Sequence, residues 1–161
     1  MHHDSEALVL VTGGDDNALA ITLNNTKGSS SSLKIPDAHA AALTALATIQ
    51  IDAQTYYILT AGNDQRVKVW SLRITAVPHP MQTDNVQLDL LADEYTNVAD
   101  ISGLEVLQHS RQSAATDVTS NPDVDGDGIP STTISSVSVS ALVVGVGMEM
   151  LDLSIQSTIS M

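Results

Sequence analysis

The sequence predicts an all-β fold, a partial β-propeller, from three observations: a repeat at fixed offset, tight turns rich in glycine and aspartate, and an apolar segment ahead of the later turns. Residues 10–21 align with residues 58–69 at a constant offset of 48, which carries Thr12 onto Thr60 and Asp16 onto Asp64. Repetition on this scale marks an array of like units. In each copy an apolar run ends in a turn, Gly13-Gly14-Asp15-Asp16 or Ala61-Gly62-Asn63-Asp64. A second run then alternates, so Val67 and Val69 share one face and Lys68 takes the other. Each copy therefore reads as a β-hairpin. A looser third copy covers 142–151, with strand, glycine turn and alternating strand but no turn aspartate.

Residues 42–49 precede the second hairpin and residues 98–107 the third. The Ala and Leu content of 42–49 would also suit a helix, and the repeat decides for strand. About 45 residues holding four short strands is the pattern of one propeller blade. The predicted division is a partial blade over 1–26, a complete blade over 27–80 and a degenerate closing blade over 81–161. Three linkers separate or interrupt them. Residues 27–32 form a Gly/Ser loop. Pro78 and Pro80 stop a strand. Residues 108–136 are long, polar and rich in Ser, Thr, Asp and Gly, and read as a disordered insertion in the closing blade.

Composition narrows the function classes. Hydrophobic residues make up 43% and charged residues 16%, a globular balance. Phe is absent and Trp occurs once, so the core depends on Val, Ile, Leu and Ala. Nineteen acids face six bases, for a net charge of −13. That field repels phosphate backbones and disfavours direct nucleic-acid binding. Cysteine is absent, which excludes disulfides and thiolate metal sites. The apolar stretch over 141–148 is far too short for a membrane span. The N-terminal Met1-His2-His3-Asp4 lacks signal-peptide character, and a cytoplasmic location is expected.

Four residues form the main constellation: His39, Thr60, Asp64 and Trp70. An indole N–H, a hydroxyl, an imidazole and a carboxylate each need a partner when buried. A His–Asp bond fixes the imidazole, and the hydroxyl links it to the indole. This is the pattern of WD-repeat blades, and its expected role is to staple a blade rather than to catalyse. The first copy keeps Thr12 and Asp16 but has Thr22 in place of the Trp, and no upstream His. The chain is therefore expected to begin inside a blade.

A second constellation, Asp123, Asp125 and Asp127 with Gly128, copies the opening of a calcium loop. Such a loop closes on a bidentate acid at its twelfth position, where Ile134 stands. An acidic surface loop is the favoured reading over calcium binding. His79 lies between prolines, His109 opens the insertion, and no internal pair of histidines has a ligand spacing. Asn24-Asn25-Thr26 is a glycosylation sequon that is expected to be idle. No nucleophile elbow or phosphate-cradling loop occurs, so no catalytic residue and no cofactor are expected.

The order of Gly13-Gly14-Asp15-Asp16, Asp37-Ala38-His39-Ala40, Asn63-Asp64-Gln65-Arg66, Asn97-Val98-Ala99-Asp100 and Val143-Val144-Gly145-Val146-Gly147 carries a more specific resemblance. It resembles the C-terminal end of the large WD-repeat proteins that partner the tRNA 2′-O-ribose methyltransferase of the wobble position. The resemblance implies a non-catalytic scaffold subunit. It would bind the methyltransferase and reach tRNA only through the complex. S-adenosylmethionine would belong to that partner. The alternative is a WD-repeat interaction module of another complex, and a third reading is a secreted calcium-binding β protein. Open blades expose a strand edge and a face, so a chain of this extent is expected to aggregate or to be partly molten on its own.

Overall fold

The computed structural model describes residues 7–25, 30–74, 86–114 and 132–160. These contain strands and turns and no helix, hence no helix long and apolar enough to cross a membrane. The strands form three antiparallel sheets. Sheet 1 holds β1 (Ala7–Gly13), β2 (Leu19–Asn25) and β3 (Ser30–Ile35) in that order. Sheet 2 holds β4 (Leu43–Gln50), β5 (Thr55–Gly62), β6 (Arg66–Ile74) and β7 (Val86–Tyr95). Sheet 3 pairs β8 (Ala99–Ala114) with β9 (Thr132–Ser160).

β9 is a continuous run of 29 residues, which would span roughly 95 Å if straight. It is not straight. The Ser140 hydroxyl donates to Asp152 Oδ1 at 2.6 Å, so the strand doubles back between them. Gly147, at φ +117°, stands near the midpoint, in a conformation that glycine adopts readily. Val137, Val139, Ala141 and Val143 on the first arm and Leu153 and Ile155 on the second are all buried. The third hairpin read from the sequence is thus a doubled strand.

Sheet 2 is the middle layer. Ile58 and Leu59 are neighbours on β5 and point to opposite faces, yet both are 0% exposed. A strand covered on both faces reads as a continuous apolar run rather than an alternating one, as Ile58-Leu59-Thr60-Ala61 does. One face packs Ile58, Trp70 and Leu72 with Leu19 and Ile21 of sheet 1. The other packs Leu59, Val67 and Val69 with Ile101, Leu104, Val139 and Val143 of sheet 3. Among the described residues, sheets 1 and 3 have one covered face each. On β1, Val9 and Val11 pack inward while Leu8 and Leu10 are exposed.

The sheets divide the chain differently from the sequence segments. β3 pairs with β2, so 30–35 closes sheet 1 rather than opening sheet 2. Ser30–Ser32, read as a loop, are strand residues that pair with β2 along one edge. β7 pairs with β6, so sheet 2 extends to Tyr95, beyond the prolines. The supposed insertion is also shorter at both ends. Gln108 to Ala114 pair with Ser140 to Ile134 in a regular ladder. The strand propensity of 42–49 prevailed over its helix-forming composition, because β5 offers a full edge for pairing.

Candidate functional site

The 48-residue repeat gives two turns with the same backbone wiring. Asn17 N–H donates to the Gly14 carbonyl and Gln65 N–H to the Gly62 carbonyl, both at 3.1 Å. Asn17 and Gln65 both lie in the left-handed region, at φ 60° and 59°. In each turn the acid two residues after the glycine caps the next strand. Asp16 Oδ1 accepts from Ala18 N–H and Asp64 Oδ1 from Arg66 N–H. Each turn then holds the connector into the following sheet. His39 N–H donates to the Asn17 carbonyl at 3.1 Å, and Thr96 N–H to the Gln65 carbonyl at 3.0 Å. One device therefore seats sheet 2 on sheet 1 and sheet 3 on sheet 2.

The structure brings His39, Thr60, Asp64 and Trp70 together at the middle sheet. Trp70 Nε1–H donates to Thr60 Oγ1 at 2.9 Å, and Thr60 Oγ1 lies 2.8 Å from His39 Nε2. His39 Nδ1 lies 3.0 and 3.1 Å from the two Asp64 oxygens. With Nδ1 carrying the proton, each of the three linking hydrogens among these four side chains has an acceptor: indole to hydroxyl, hydroxyl to Nε2, Nδ1–H to carboxylate. Asp64 Oδ2 also accepts from Ala40 N–H at 2.8 Å. Burial raises the Asp64 carboxyl, but the bonds from Ala40 N–H, His39 and Arg66 N–H outweigh it and hold it below the ordinary carboxylate value.

Acid, imidazole and hydroxyl in a row also describe a catalytic triad, so access decides between the readings. Thr60 is 0% exposed and His39 is 1% exposed. The hydroxyl is already engaged by the indole, and no substrate atom can reach it. The arrangement can hold the 37–40 connector on the β5–β6 turn, and it has no reacting atom to offer. Lys68 adds to the clamp by donating to the Ala38 carbonyl at 2.7 Å. Gly62 is required there, because a Cβ would stand 2.9 Å from His39 Nδ1 and from the Ala42 carbonyl oxygen.

A second staple went unread in the sequence. Glu149, early in the second arm of β9, accepts from Thr96 Oγ1, Asn97 N–H and Asn97 Nδ2. It holds the connector into sheet 3 as Asp64 holds the connector into sheet 2, with Asn97 N–H in the place of Ala40 N–H. These bonds, that from Thr96 foremost, hold the Glu149 carboxyl below its ordinary value. The third turn thus lacks an aspartate but not an acid. The signal was present as an acid two residues past the turn glycine, on a longer arm. In sheet 1, Asp16 instead pairs with Lys34 at 2.8 Å on open surface, and that bond lowers its carboxyl.

Asp64 and Glu149 set a pH dependence. Their carboxyls are held low in the folded chain, so their contribution is present above the ordinary carboxylate range. It is lost as pH falls through the lowered folded values. Urea midpoints are expected to be flat near neutrality and to drop from about pH 5 downward. Glu149→Gln is expected to flatten part of that drop; an unchanged slope would remove the second staple from the account.

The calcium-loop candidate Asp123, Asp125 and Asp127 lies outside the described residues, as do His2, His3 and His79. His109 stands on β8 and Asn24 is exposed on β2. Among the described residues, no three of His, Asp and Glu gather as a metal-binding group. The chain matches no family model and no curated protein.

Proposed function

We propose that the chain is a non-catalytic scaffold of WD-repeat type, in which stacked β sheets of propeller-blade kind present loops and faces to partner proteins. The observation that carries this reading is the His39–Thr60–Asp64–Trp70 network. Its polar groups are consumed by one another and by backbone, in the place where a blade is stapled. A site built for chemistry would leave a reacting atom exposed. The repeat of the turn and connector bonds from sheet to sheet supports the same reading.

The partner we propose is the catalytic subunit of the tRNA 2′-O-ribose methyltransferase of the wobble position, which would itself hold S-adenosylmethionine. The ordered motifs from Gly13 to Gly147 support it. The net charge of −13 fits a subunit that reaches tRNA through its partner rather than by its own surface. A cytoplasmic location goes with that role. The test is affinity capture of the natural protein, combined with measurement of wobble 2′-O-methylation in a deletion strain. Capture of a methyltransferase and loss of the methyl group are expected. Capture of a different complex with normal methylation would favour the general WD-repeat interaction module instead.

A further inference from the structure

We draw no further inference here: the strongest candidate, the surface patch of Arg66, Leu90 and Tyr95 across β6 and β7 at the outer edge of sheet 2, carries nothing, because Asp93 already pairs with Arg66 and Lys68 and nothing in the structure shows what covers the exposed leucine and tyrosine.

Discussion

Thr60→Val is expected to destabilise the chain by about 2–4 kcal/mol, although it removes only one oxygen. The hydroxyl is 0% exposed and sits between the Trp70 indole and His39 Nε2. Valine nearly matches the volume of threonine, so packing changes little. What is lost is two partners at once. A buried donor or acceptor left unsatisfied costs about 1–3 kcal/mol, more than the net worth of the bond it made. Trp70→Phe alone is also costly, because it removes ring area. In the double variant Thr60→Val/Trp70→Phe, however, no indole N–H remains to be orphaned. The two losses are therefore expected to fall short of additive by about 1 kcal/mol or more. Additive losses in urea unfolding would show that the indole and hydroxyl act separately.

The second large effect is expected at Gly145. A Cβ there would stand 2.5 Å from the Ala99 carbonyl oxygen and 2.6 Å from that of Asp100. Both are backbone atoms, and no rotamer can relieve the overlap. They belong to the irregular start of β8, where the register slips between Ala99 and Gly103 and Asp100 adopts φ 47°. Gly145→Ala must then push β8 away from β9 or move the bulge. The expected loss is about 3 kcal/mol, at the upper end of overpacking. Gly103→Ala is the control in the same sheet. Its Cβ would meet Val144 Cβ at 3.5 Å, an ordinary contact, and a change under about 1 kcal/mol is expected. Equal thermal midpoints for the two variants would mean that β8 and β9 do not approach as described.

The hairpins were legible because both determinants of a hairpin lie in the local sequence. Val67-Lys68-Val69 shows the alternation, and Gly62-Asn63-Asp64 shows the turn. The partners of His39 were legible because the residue types and spacing of Thr60, Asp64 and Trp70 follow a repeat pattern that the sequence shows. Strands with little apolar content were not. Ser30-Ser31-Ser32 has no face to bury and becomes a strand only because the edge of β2 accepts its backbone. Gln108-His109-Ser110-Arg111 extends β8 in the same way, against Ser140 to Val137. Nothing local distinguishes such segments from loops, because their determinant is a pairing edge outside the segment: Asn24 to Thr22 for the serines and Ser140 to Val137 for the extension of β8. Glu149 was missed for a geometric reason. The pattern specified an aspartate in the turn, whereas a glutamate, with one more methylene, reaches the corresponding connector into sheet 3.

The central claim is that each sheet is seated on the one before it by one repeated bond, from connector N–H to left-handed turn carbonyl. Amide hydrogen exchange tests it most directly. His39 and Thr96 lie outside the strands, where exchange is ordinarily fast. If their N–H groups bond to the Asn17 and Gln65 carbonyls, both are expected to exchange as slowly as the β5 and β6 ladder amides, and to lose protection together with them in denaturant. Rapid exchange at His39 and Thr96 beside a protected β5–β6 ladder would contradict the account, leaving three sheets that are not stacked by a common device.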